Sequence, residues 1–94
     1  MSTTKKRMEC IVHGRVQLVM FRDFAKRSAG KFGIVGMVRN ADDGTVRVVA
    51  EGEEANLALF LKRLEKGPFL SRVDFVETIL KDPTGEFSNF RITY

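Results

Sequence analysis

Residues 34–51 read IVGMVRNADDGTVRVVAE, and this stretch contains two alternating apolar runs, 34–40 and 45–51. An Asp-Gly pair separates them, which is the strongest short-range signal for a β-hairpin. The sequence therefore predicts two antiparallel neighbouring strands in the middle of the chain. We interpret Asp42 and Asp43 as turn residues rather than as a catalytic carboxylate pair, because such a turn itself favours Asp.

One helical and one extended segment flank this hairpin on each side. Residues 8–13 alternate between apolar and polar types, and apolar residues fall at helical spacing over 21–32. After the hairpin, acidic residues at 53–54 and an apolar stripe at 57, 60, 61 and 64 predict a second helix, and 72–80 predicts a further strand. Residues 90–94 alternate to the end of the chain. The predicted order is therefore strand, helix, strand, strand, helix, strand, with a short closing strand.

Two βαβ units joined by a hairpin, each with a right-handed crossover, define an α+β fold. We predict a ferredoxin-like (βαββαβ) sandwich, in which an antiparallel sheet carries two helices on one face. A chain of 94 residues is the size of one domain with one core. We assign residues 8–94 to that domain and interpret residues 1–7, which include Lys5, Lys6 and Arg7, as a flexible basic tail.

Composition restricts the kinds of chemistry available to the chain. Its only cysteine and only histidine are Cys10 and His13, too few for an internal disulfide or a structural zinc site. We expect a buried Cys10, a strand-surface His13, and neither a metal ion nor a cofactor. The sequence has no apolar run of 18 residues, so we expect no membrane partner, a cytoplasmic location and a monomer.

Positive charge is concentrated in the first half of the chain. Residues 1–50 carry ten Lys or Arg against four Asp or Glu. This half contains Gly14–Arg22, which leaves the first predicted strand and enters the first predicted helix. A cation such as Arg22 in the first helical turn costs roughly 0.3–1 kcal/mol unless an anion lies nearby. Free main-chain N–H groups and a guanidinium together bind oxyanions well, so the segment predicts a phosphate or carboxylate site.

A family resemblance extends over most of the chain, from about Met8 to Tyr94. The residues that carry it are Gly14-Arg15-Val16-Gln17, Val19, Phe21-Arg22, Gly33, Gly36, Val38, Asn40, Asp43-Gly44, Val46 and Ser88-Asn89-Phe90. This pattern resembles the acylphosphatases, and its pairing of a Gly-Arg-Val-Gln loop with a Gly-x-Val-x-Asn strand is specific.

The resemblance implies hydrolysis of a small-molecule acyl phosphate to a carboxylate and phosphate. It implies that Arg22 and the main-chain N–H groups of one loop bind the phosphate, and that Asn40 orients the attacking water. The loop residues are Arg15, Val16, Gln17, Leu18, Val19 and Met20. Neither a metal nor a cofactor is implied. Whether Asn40 reaches the same end of the sheet as the loop depends on strand register, which the sequence leaves open.

Two departures from the family pattern concern the loop and the end of the chain. Leu18 stands where the family often has glycine, and we expect it to adopt ordinary dihedral angles with its side chain directed away from the N–H groups. Thr93 replaces a frequent arginine. The sequence shows no evident pocket for the acyl group, so we expect broad tolerance of acyl groups.

Two alternatives remain open at this stage. A ferredoxin-like sheet can bind RNA, but residues 45–51 have no aromatic side chain on which a base could stack, so we expect no nucleic-acid partner. A catalytically weak relative that binds an anion is the second alternative, suggested by Leu18. Phosphate release from an acyl phosphate separates it from an enzyme.

Overall fold

The computed structural model describes residues 4–94. Its elements follow the predicted order, with two helices and five strands in this part of the chain. They are β1 (Lys5–Arg15), α1 (Phe21–Lys31), β2 (Val35–Asn40), β3 (Val46–Glu53), α2 (Glu54–Lys66), β4 (Arg72–Lys81) and β5 (Phe90–Thr93). The predicted ferredoxin-like sandwich is confirmed.

The five strands form one sheet in the order β4-β1-β3-β2-β5. β1 pairs antiparallel with β3 and β4, and β2 pairs antiparallel with β3, as predicted. β5 instead pairs parallel with β2, so the sheet is mixed rather than wholly antiparallel. The reason is the connection 82–89, which carries the chain from the β4 edge to the opposite edge, where β5 starts at the same end as β2.

The apolar sides of both helices and the sheet form one core. Its largest fully buried side chains are Met8, Phe21, Leu57, Phe60 and Leu64. Cys10 is buried among them as predicted, and burial raises the pKa of its thiol to about 11, although Thr78 lies beside it. Neither helix within residues 4–94 is long and apolar enough to cross a membrane.

The predicted basic tail is wrong for Lys5, Lys6 and Arg7, which belong to β1 and pair with the end of β3. Arg7 is held there by carboxylates from distant parts of the chain. Its guanidinium lies 2.9 Å from Glu51 and 2.6 Å from Glu86, in addition to 2.8 Å from the neighbouring Glu9. Ion pairing therefore extends the strand beyond its apolar stretch. Residues 1–3 of the predicted tail lie outside the described residues.

Glu51 organises the end of the sheet at which β3 finishes. This buried carboxylate accepts hydrogen bonds from the main-chain N–H groups of Thr84 and Gly85 and from the Thr84 hydroxyl. Burial by itself would raise its pKa, but these donors and Arg7 lower the pKa to about 2. Glu51 thereby attaches the 82–86 segment to the sheet.

Candidate active site

Strand direction brings the predicted site residues to one end of the sheet. β1 and β2 both run antiparallel to β3, so they run parallel to each other, and β5 runs parallel to β2. The chain therefore leaves β1, β2 and β5 at the same end. Asn40, the last residue of β2, consequently lies at the same end as the loop after β1, which answers the question of register left open by the sequence.

A cavity of about 350 Å³ lies at this end. Arg22 and Asn40 both line it, so the structure brings together the two side chains predicted to be catalytic. The other residues used below that line it are Val16, Leu18, Met20, Asp23 and Tyr94. Arg15 does not line it, because Arg15 is the last residue of β1 and pairs with Arg72 of β4. The loop itself is therefore residues 16–20.

Gly14 directs the chain from β1 into this loop. The register between β1 and β4 shifts between His13 and Gly14, which marks a bulge. Gly14 has φ of 132°, and a Cβ built there would lie 2.0 Å from the main-chain oxygen of Arg72. Only glycine fits this close approach without moving β4.

The loop backbone alternates between negative and positive φ. Leu18 and Met20 have φ of 61° and 62°, whereas Gln17, Val19 and Phe21 have negative values. The expectation of ordinary dihedral angles at Leu18 is therefore wrong. The alternation turns successive N–H groups toward one side and forms a concave nest of donors, a geometry that suits an anion. It costs about 1–2 kcal/mol for each non-glycine residue.

The donors of this nest are not used by the main chain. No main-chain carbonyl within residues 4–94 accepts a hydrogen bond from the N–H groups of 17–20. Met20 is the N-cap of α1 and makes no side-chain capping hydrogen bond, so the first turn of α1 also presents free N–H groups. The loop and the helix N-terminus together form a region of positive potential.

Arg22 adds a full positive charge to that region. Its guanidinium forms no salt bridge within residues 4–94, since the adjacent Asp23 pairs with Arg27 at 3.0 Å. It lies over the ring of Tyr94, with 4.8 Å from Cζ to the ring centroid. A cation–π contact of this kind orients the guanidinium and leaves its N–H groups available to an anion.

Gln17 has a role that local sequence patterns did not predict. Its Nε2 donates to the main-chain oxygens of Ala41, at 2.7 Å, and Thr45, at 2.9 Å. Ala41 directly follows Asn40, so this side chain connects the loop to the end of β2. The partners in these two hydrogen bonds are 24 and 28 positions apart in the sequence, so no local pattern could reveal the contacts.

His13 and Asp43 do not line the cavity, and their contacts are with neighbouring parts of the fold. His13 stacks on Phe75, with ring centroids 4.2 Å apart, on the face of the sheet away from the helices. The Asp43 carboxylate accepts hydrogen bonds from the main-chain N–H and the hydroxyl of Thr45, which lower its pKa to about 2. Asp43 thus acts within the β2–β3 turn, in agreement with the turn interpretation.

An unpaired arginine beside a nest of free N–H groups is typical of proteins that bind phosphoryl groups. The family model described as Acylphosphatase matches residues 8–92. The chain belongs to the acylphosphatase family, and the prediction of an acylphosphatase enzyme is confirmed.

Individual relatives are similar to this chain over three quarters of its length or more. The acylphosphatase of Bacillus licheniformis is 45% identical over 84 residues, which cover 89% of this chain and 93% of that protein. The acylphosphatase of Thermus thermophilus is 48% identical over 71 residues, covering 76% and 81%. The crystal structure of the Bacillus subtilis acylphosphatase superposes with a TM-score of 0.92 at 35% identity, covering 95% of this chain and 99% of that one.

Proposed function

We propose that the cavity between the loop and β2 is where this enzyme hydrolyses the carboxyl–phosphate bond of acyl phosphates. The N–H groups of 16–20 and the Arg22 guanidinium hold the phosphoryl group, and Asn40 orients the attacking water. The observation that supports this most is the position of Arg22, which shares one cavity with Asn40 and has no carboxylate partner within residues 4–94.

The chemistry needs little more than these groups. An acyl phosphate is an activated anhydride with a carboxylate as its leaving group, so catalysis consists mainly of positioning and of stabilising charge on the phosphoryl oxygens. Donors fixed by the fold do this without reorganising during the reaction. The Asn40 amide orients water through a hydrogen bond, and the substrate phosphate accepts the proton of that water, so no separate general base is required.

Metal-independent turnover is part of the proposal. Arg22 and the N–H nest supply the positive charge that a metal ion provides in other phosphoryl-transfer sites. No group of three or more potential ligands from His, Cys, Asp and Glu occurs within residues 4–94. We therefore expect full activity after treatment with a chelator, and a loss that added Mg²⁺ restores would contradict this. We also propose that the enzyme acts as a cytoplasmic monomer, which sedimentation of the purified protein and fractionation of cells would test.

The decisive experiment measures phosphate release from benzoyl phosphate by wild type, Arg22→Ala and Asn40→Ala. Both variants are expected to lose at least about 100-fold in kcat, the scale for removing one transition-state donor. Inorganic phosphate should inhibit Asn40→Ala as it inhibits wild type, and Arg22→Ala only weakly. Lys26→Ala, on the exposed side of α1, and Asn56→Ala, on α2, are matched controls that should keep wild-type rates.

Equal rates in all five proteins would refute the assignment of Arg22 and Asn40. Phosphate binding without turnover in wild type would instead support the catalytically weak anion-binding alternative. The positive φ of Leu18 and Met20 removes the doubt about the loop that Leu18 raised, because the loop keeps its nest of donors although neither residue is glycine.

A further inference from the structure

Three large side chains at the mouth of the cavity are almost fully exposed. Leu18 is 98% exposed, Tyr94 96% and Met20 71%, and all three line the cavity that contains Arg22 and Asn40. Single exposed apolar residues are ordinary on a protein surface. Three around one opening form an apolar rim, and we use the name acyl rim for Leu18, Met20 and Tyr94.

Backbone strain accompanies two of these side chains. Leu18 and Met20 have positive φ, which glycine adopts without penalty and other residues adopt at a cost. The exposed Leu18 side chain gains almost no burial within the chain that would offset this cost. The main-chain nest accounts for the positive φ but would also form with glycine, so a large exposed residue kept there at a cost points to a functional role for its side chain.

We propose that the acyl rim selects acyl phosphates with an apolar acyl group, such as an aryl or branched aliphatic group. This inference rests on the proposed function, because it requires the phosphoryl group to lie in the nest beside Arg22. With the phosphate held there, the acyl group extends away from the N–H groups toward the mouth, where the rim provides apolar contact. Selection of this kind replaces the broad tolerance expected from the sequence.

Charge at the mouth supports the same class of substrate. Asp23 also lines the cavity, but its carboxylate is paired with Arg27 at 3.0 Å, so Arg22 is the charged side chain there that has no salt bridge within residues 4–94. An acyl group with its own carboxylate would compete with the phosphate for Arg22. An uncharged apolar acyl group avoids this competition and covers the exposed rim.

The test compares kcat/KM for benzoyl phosphate with kcat/KM for acetyl phosphate in wild type, Leu18→Asn and Met20→Asn. Asparagine tolerates positive φ, so these variants remove the apolar surface and preserve the backbone geometry. The ratio of the two values cancels changes at the phosphate end that affect both substrates. We expect the ratio to fall roughly five- to tenfold in each variant, the scale of losing part of an apolar contact.

Leu59→Asn is the matched control, because Leu59 is an exposed leucine on α2 and does not line the cavity. It should keep the wild-type ratio. An unchanged ratio in both rim variants would overturn the proposal, even if Arg22→Ala and Asn40→Ala had already supported the proposed function.

A binding measurement tests the rim without turnover. Phenylphosphonate presents an apolar ring on a phosphate-like group, and its dissociation constant is compared with that of inorganic phosphate by calorimetry. We expect wild type to bind phenylphosphonate at least about fivefold more tightly than phosphate, and Leu18→Asn to lose this preference. Equal affinity for both ligands in wild type would overturn the acyl rim. An enzyme that hydrolyses neither substrate but prefers phenylphosphonate would refute the proposed function and support the rim.

Discussion

The side chain of Gln17 and the main chain of Ala41 are joined by a hydrogen bond of 2.7 Å. This bond connects the loop 16–20 to the residue that follows Asn40, and a second bond of 2.9 Å reaches Thr45 across the β2–β3 turn. The two halves of the proposed site, the loop and the end of β2, are therefore connected by side-chain hydrogen bonds as well as through the sheet. A side chain from one half fixes the main chain of the other.

Replacing Gln17 should separate water orientation from phosphate binding. Gln17→Met keeps the length of the side chain and removes both donors. We expect kcat to fall roughly tenfold, because Asn40 loses its fixed position, while inhibition by inorganic phosphate changes less than about twofold. Steady-state kinetics with phosphate as a competitive inhibitor would measure both. A purely structural role predicts a lower unfolding midpoint with kcat unchanged, which would contradict the positioning role.

Gly14→Ala should destabilise the fold through the bulge. The new Cβ would lie 2.0 Å from the main-chain oxygen of Arg72, and the φ of 132° is unsuited to alanine. We expect the free energy of unfolding in urea to fall by about 2 kcal/mol or more. Gly30→Ala is the matched control, because Gly30 lies inside α1 and a methyl group there would meet no atom of the surrounding structure within 4 Å. That change should raise stability by roughly 0.5–1 kcal/mol, and equal effects of the two changes would refute the argument.

Leu18→Gly should raise the stability of the protein and weaken its proposed preference for apolar acyl groups. Glycine relieves the strain of positive φ, so we expect the free energy of unfolding to rise by about 0.5–1 kcal/mol after its larger unfolded-state entropy is counted. Leu18→Val should have the opposite effect, since a β-branched residue tolerates this conformation poorly. Urea denaturation of the three proteins checks the order. A variant with glycine less stable than wild type would show that the Leu18 side chain stabilises the fold by a contact that its exposure does not reveal.

The lowered pKa of Glu51 predicts that the protein loses stability in acid. Its folded-state pKa of about 2 lies below its ordinary value of 4.5, so the unfolded chain takes up its proton first as the pH falls. The stabilisation is fully present above about pH 4.5 and is lost as the pH falls toward 2. Denaturation midpoints between about pH 7 and pH 2 should therefore fall less steeply in Glu51→Gln, which starts from a lower stability at neutral pH.

Glu53→Gln provides the matched control for this experiment, because Glu53 lies on the same strand and has no part in the contacts of Arg7 and Thr84. Its profile should follow wild type. Identical acid profiles for wild type and Glu51→Gln would show that other carboxylates cause the acid loss.

Local patterns in the sequence determined the elements of this protein. The Asp-Gly hairpin, the apolar spacing of the two helices and the position of Arg22 in the first helical turn are all signals within a few residues. They predicted the ferredoxin-like sandwich and an anion site after β1. The family resemblance added Asn40 and the reaction, which spacing by itself could not supply.

The tertiary structure decided which distant residues meet. Strand direction brings Arg22, Asn40 and Tyr94 to one cavity, and carboxylates from three parts of the chain order Arg7 in β1. The positive φ of Leu18 and Met20 belongs to the path of the short loop between β1 and α1, since neither residue type favours this conformation by itself. Such contacts depend on register and chain closure over tens of residues, whereas helix and strand propensities act over only a few.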